Sequence, residues 1–247
     1  MAKIISLGIS TRKDSILELI FKGNSSNLEA LLQNPNFSTP FWLTVWDLNI
    51  MNAIANSSTA LNAVINSSTA MNAVINSQTA LNAIKNNATA WNTFINSTIN
   101  VKEVPMMTSN TTPEGVASAS SIFSSDYAAF MAFDKNTNSM WQAGGGAPQW
   151  IQYQFVSPVF VHTITLTGSG YFANPYNPVS ITIQASNNGS TFIDIQTFNQ
   201  EFINVPTTLY IAKQGYYEYW RVRVNNAVGA VPPVIRELNF KGFIQPT

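Results

Sequence analysis

The chain has 247 residues, with twelve Lys plus Arg balancing twelve Asp plus Glu, so no net charge steers it toward nucleic acid or an anionic membrane surface. Only 10% of the residues are charged while 29 are Asn, so solubility is expected to rest on amides and hydroxyls. With no Cys and one His, disulfides, thiolate metal sites, thiol catalysis and most triads drop out, and the scattered carboxylates form no spaced acid pair.

At the N-terminus, Arg12, Lys13 and Asp14 break the apolar pattern, which is not the core of a secretory signal. No apolar run approaches the roughly 18 residues of a membrane-spanning helix, so no membrane insertion is expected. Ile16, Leu17, Leu19 and Ile20 within 12–22, and Leu28, Leu31 and Leu32 within 26–33, have the spacing of two short helices. Phe41, Trp42 and Trp46 then crowd apolar surface into a few residues, either a docking surface or a local cap. Residues 1–47 are thus read as an N-terminal helical anchor through which the chain attaches to another protein.

From position 51 the sequence runs MNAIANSSTA, LNAVINSSTA, MNAVINSQTA, LNAIKNNATA, WNTFINSTIN, a ten-residue period in which Lys85 is the one charge. Neither Pro nor Gly interrupts it, and Ala, Leu and Met favour helix, which predicts a continuous helix. Ten residues over three turns give about 3.33 per turn, so an apolar stripe through Leu61, Val64, Ile65 and Ser68 would wind left-handedly. One helix cannot bury that stripe alone. Residues 48–104 are therefore expected to form a parallel coiled-coil shaft with other copies of the chain, as a homotrimer.

After Lys102-Glu103-Val104-Pro105 the character changes to short alternating runs bounded by Gly, Pro and Asn. Strands are predicted at 150–156, 159–167, 179–185, 191–198, 207–212, 217–224 and 234–243, an all-β sandwich over 105–247. His162 is read as a surface residue of the second strand. The whole is a multidomain chain: helical anchor, trimeric α-helical coiled-coil shaft, and C-terminal jelly-roll-like sandwich.

Ala132-Phe133-Asp134, Trp141 and the run from Pro148 to Phe155 resemble the opening of a discoidin domain, the coagulation-factor C-type or galactose-binding-like module. The order continues through Ile181–Gly189, Tyr219–Val224 and Arg236–Phe240. The resemblance covers about 110–245 and implies a non-catalytic sandwich that binds glycans through loops at one end. It also implies a structural calcium near the Asp loop. Asp134, Asn136, Ser139 and Glu237 supply hard oxygen donors suited to that ion, although Lys135 stands where the family usually has Gly. The alternative is that Asp134 caps its own turn.

For the ligand, Tyr171, Phe172 and Tyr176 offer stacking surfaces in the loop 168–178, with Asn174 and Asn177 for sugar hydroxyls and Asn225 from a second loop. The same aromatics could instead tether the loop to the sandwich. The loop lacks the Arg that many sugar-binding members place there. Anchor, periodic shaft and lectin-like tip, in that order, resemble bacteriophage virion appendages. This implies a particle protein, assembled in the host cytoplasm, that adsorbs to a host surface glycan; a purely structural head or neck decoration is the alternative.

Overall fold

The computed structural model describes residues 48–66, 68–75, 77–97, 101–211, 215–229 and 231–244. The anchor read at 1–47, with its two short helices, lies outside the described residues. The chain divides into two compact units between residues 100 and 101. That is ahead of the boundary read at 105, because Val101–Glu103 already pairs into the sandwich.

In the first unit the decads fold as five separate helices: α1 (Leu48–Ala55), α2 (Ser58–Ile65), α3 (Ser68–Ile75), α4 (Gln78–Lys85) and α5 (Ala88–Ile95). This corrects the expectation of one continuous helix. Each decad carries its own start and stop signal. Ser57, Ser77 and Asn87 have extended backbone and accept a hydrogen bond from the amide three residues on, at Ala60, Ala80 and Ala90. Asn66, Asn86 and Asn96 close the helices, their amides donating to carbonyls of the last turn. Polar side chains read as tolerated inside a helix are its caps, where their competition for backbone groups is useful.

The break also changes what buries the apolar stripe. α1 packs against α4 and α2 against α5, so the chain coils on itself with three helices per turn. Asn87 ties successive turns, its Nδ2 donating to Ala55 O at 3.0 Å and to Asn56 Oδ1 at 3.1 Å. Met51, Leu61, Val64, Met71, Val74, Leu81, Ile84 and Phe94 are all buried within a single chain. The physical demand that led to three strands of coiled coil is met by the chain itself.

Among its described residues the second unit has nine strands: β1 (Val101–Glu103), β2 (Val116–Ala119), β3 (Trp141–Gln142), β4 (Gln149–Gly168), β5 (Pro178–Ser186), β6 (Ile193–Asn199), β7 (Thr207–Tyr210), β8 (Tyr217–Ala227) and β9 (Val234–Ile244). β4 fuses the two strands predicted at 150–156 and 159–167. Its first half pairs with β2 and β8, and its second half with β7 and β9. The register shifts between Gln154 and Val159, across Pro158, which has no amide to give the ladder. One strand thereby serves two layers: β2, β4, β8, β5 and β6 on one side, and β1, β3, β9, β4 and β7 on the other.

Alternating residues from both layers, among them Ile151, Tyr153, Ile183, Trp220 and Val222 against Ile164, Leu166, Leu209, Leu238 and Phe240, form one core. Its polar tips are satisfied: Trp220 Nε1 donates to Val159 O at 3.0 Å and Tyr153 OH to Glu114 O at 2.7 Å. On the outer face the Arg221 guanidinium lies 3.8 Å from the ring centre of Trp150 and 3.5 Å from that of Phe192, with Gln152 Oε1 accepting from it.

His162 is fully buried, which corrects its reading as a surface residue. β4 bulges between Val161 and Thr163 against β9, so the alternation of inward and outward side chains fails at this residue. Its ring sits 4.7 Å from that of Phe243.

Candidate functional site

The loop that joins β4 to β5 begins at Gly168, where a Cβ would lie 1.7 Å from the carbonyl oxygen of Phe202, so the close approach of two backbones requires glycine. The loop then curls around the side chain of Asn177, which is 0% exposed. Asn177 Oδ1 accepts from the amides of Ser169 and Gly170 at 2.9 and 3.0 Å, and its Nδ2 donates to Tyr171 O at 2.9 Å and Glu201 Oε1 at 2.8 Å. Glu201 also accepts from the amide of Ala173 at 2.7 Å, holding that residue at φ 62, a left-handed conformation that alanine adopts at a cost of about 1 kcal/mol. Asn174 Oδ1 accepts from the amide of Tyr176 at 3.1 Å.

The effect is a stiff loop that holds aromatic rings out in water. Tyr171 is 87% exposed and Phe172 80%, with Tyr176 exposed to a lesser degree. All three rings are thus open to solvent, and the first two do not tether the loop. The polar residues divide differently. Asn174 is half-buried at the turn, and Asn177 is an internal brace unavailable to a ligand. Asn225 lies within β8, its amide donating to Ser180 Oγ and Thr182 Oγ1 across the sheet, which corrects its assignment to a recognition loop.

Two neighbouring loops join this end. Gly229 and Val228 donate to the carbonyls of Pro175 and Asn177 at 2.9 and 3.1 Å, drawing residues 228–229 against the aromatic loop. Arg236 bridges to the Asp loop, with Nε donating to Ser169 O at 2.8 Å and Nη1 to Thr137 O at 2.7 Å. Sequence reasoning missed Glu201 and Arg236, since each acts on loops many residues away. Arg236 carried one signal, being part of the closing-strand motif.

In the Asp loop, Asp134 Oδ1 accepts from the amide of Asn136 at 2.9 Å and Oδ2 from Ser139 Oγ at 2.6 Å. Glu237 joins it from β9: burial first, then the adjacent Asp134 carboxylate, push its carboxyl up to about 7. Glu237 Oε1 is buried without a hydrogen-bond partner. Lys135 holds φ 60, the conformation that makes glycine the unstrained choice there. Burial lowers its pKa, against the pull of Glu103 and Glu237. Of the four predicted donors, Asp134 and Glu237 meet, and Ser139 is bonded to Asp134. The amide oxygen of Asn136 is turned away to the Asn138 amide. Among the described residues no group of three or more His, Cys, Asp or Glu side chains could hold a metal ion. The paired carboxylates leave one oxygen, Glu237 Oε1, without a donor.

A scan of protein families matches residues 116–228 to the F5/8 type C domain. No curated protein matches the chain. Among solved structures, the chain is similar to the family 32 carbohydrate-binding module of Clostridium perfringens NanJ in complex with galactose, at 23% identity over 57% of this chain and 98% of that one, TM-score 0.47. It is similar to a second C. perfringens module, CpGH89CBM32-5, in complex with GalNAc-β-1,3-galactose, at 19% identity over 51% of this chain and 94% of that one, TM-score 0.46. The fucolectin of striped bass (Morone saxatilis) serum shares 19% identity over 55% of this chain and 49% of that one, TM-score 0.47. The match to the F5/8 type C domain over residues 116–228 lies within a sandwich that begins at Val101 and closes with β9.

Proposed function

We propose that the β-sandwich binds a neutral saccharide through the loop 168–178. The observation that carries this reading is the pair of solvent-facing rings, Tyr171 and Phe172, on a backbone braced from beneath by Asn177 and Glu201. An unsupported loop would bury such rings; holding them in water costs hydrophobic free energy unless a ligand covers them. A preformed platform loses little entropy on binding, and a shallow site of this kind gives a dissociation constant of roughly 0.1–1 mM.

The wider reading is a bacteriophage appendage that docks through residues 1–47 and adsorbs to a bacterial surface glycan. Its support is the order of helical repeat and glycan-binding-like domain in one chain. Several copies on one particle would make later contacts intramolecular and raise avidity by about 10²–10⁴. Calcium belongs to the same proposal: Asp134 and Glu237 would hold it, and the ion would neutralise their facing charges and fix the loop that Arg236 ties to Ser169.

Titration calorimetry of the full chain with a panel of neutral oligosaccharides tests both parts. Tyr171→Ala and Phe172→Ala should each weaken binding about tenfold while leaving the melting temperature unchanged. Unchanged affinity in both variants refutes the site. Chelation of calcium should lower the melting temperature, and an identical melt with and without chelator refutes the ion.

A further inference from the structure

A second exposed apolar loop lies in the same row of backbone as the aromatic loop. Phe123 N donates to Gln142 O at 2.9 Å. Gln142 faces Val234 in the pairing of β3 with β9, and Val234 N donates to Tyr176 O at 3.1 Å. Phe123, Gln142, Val234 and Tyr176 are thus successive neighbours, joined by two hydrogen bonds and one strand pairing, and at ordinary strand spacing the three steps span about 14 Å.

The two ends of this row are alike. At one stands Tyr176, in the loop that also carries the exposed Tyr171 and Phe172; at the other Phe123 is 61% exposed, with Ile122 also exposed beside it. Phe123 meets Tyr127 edge to face at 5.7 Å, and Ser121, two residues earlier, is pinned, its carbonyl accepting from Trp141 Nε1 at 3.0 Å and its hydroxyl from the amide of Gly144 at 3.0 Å. The second loop is therefore also anchored by the core beneath it. Between the two stands Gln142, half-buried, an uncharged side chain with both donor and acceptor atoms. None of the four residues in the row carries a charge.

We propose that the two loops bracket one elongated site whose ligand is a neutral oligosaccharide of about three rings, matched to the span of the row. Tyr171 and Phe172 stack on one terminal ring, Phe123 stacks on the other, and Gln142 hydrogen-bonds the ring between. The proposal rests on the reading that the loop 168–178 binds a saccharide, and it adds the length of the ligand and a second wall.

Calorimetry on the full chain with chitin oligosaccharides and β-linked galacto-oligosaccharides of one to four rings separates the two. In the wild type, affinity should climb from one ring to three and then level. Phe123→Ala should weaken the three-ring ligand about tenfold and the single ring less than twofold, whereas Tyr171→Ala should weaken both. Gln142→Ala should act like Phe123→Ala, with the melting temperature confirming that each variant is folded. If affinity does not depend on length, or Phe123→Ala leaves the three-ring ligand unchanged while Tyr171→Ala weakens it, the elongated site is overturned and the single-loop reading stands. If no probe of any length binds the wild type, both fall.

Discussion

Asn177 shows how a residue's chemistry can be legible while its role is not. Its place among aromatics, Gly and Pro marks it as polar equipment of a loop, and a sugar hydroxyl is a reasonable partner for it. The structure turns it inward because Glu201, from a distant loop, supplies the acceptor its amide needs. Removing that side chain strands the amides of Ser169 and Gly170, so Asn177→Ala should cost about 3 kcal/mol in urea unfolding of the sandwich and should abolish saccharide binding. A variant with wild-type stability would show that the brace is dispensable. Tyr171 and Phe172 were readable because a large ring in a Gly- and Asn-rich loop has few places to hide. Asn225 and His162 were misread for one reason: a strand that runs three residues further, or bulges by one, changes which way a side chain faces.

Among the elements, the six strands β4 to β9 were visible as alternating runs, two of which merge in β4, and the short β1, β2 and β3 were not, being too brief to show a period. The helical repeat was seen in full and its structure misjudged, because propensity was summed across the decads while the capping chemistry at their joints was not. Ser77 separates the two accounts. In a continuous helix Ser77→Ala would be stabilising; at a cap it should cost about 1 kcal/mol, read from the loss of helical circular dichroism on heating. Lys85 is a second probe. It occupies the decad position held by buried Ile65, Ile75 and Ile95, and its ammonium lies 4.9 Å from the ring centre of Trp91. Burial lowers its pKa to about 8 from 10.5, so the folded chain sheds a proton that the unfolded chain keeps. Stability of the helical unit should therefore rise as pH climbs from about 8 toward 10.5. Lys85→Ile should raise stability by about 1 kcal/mol and remove that rise. A flat profile in the parent chain would contradict the desolvated ammonium.

For the whole molecule, self-burial of the repeat has a direct test. Light scattering should return the mass of one chain, 27.1 kDa, since the described apolar side chains of the repeat from Met51 to Ile95 are buried within one chain. A mass of three chains would restore an assembly built on the repeat.

The pairing of β1 with β9 bears on how the sandwich carries load. Val101, where the chain enters, lies opposite Phe243, whereas Tyr176 is bonded to Val234 at the other end of the same strand. Nine residue steps of β9 separate them, roughly 30 Å. A force applied between Val101 and the aromatic loop would pull along the strands and not across them. Every bond of the β1 and β4 ladders to β9 would then be strained together, in shear, instead of being unzipped one at a time. The point where the chain enters and the aromatic loop thus sit at opposite poles of one strand, an arrangement that resists a pull between them.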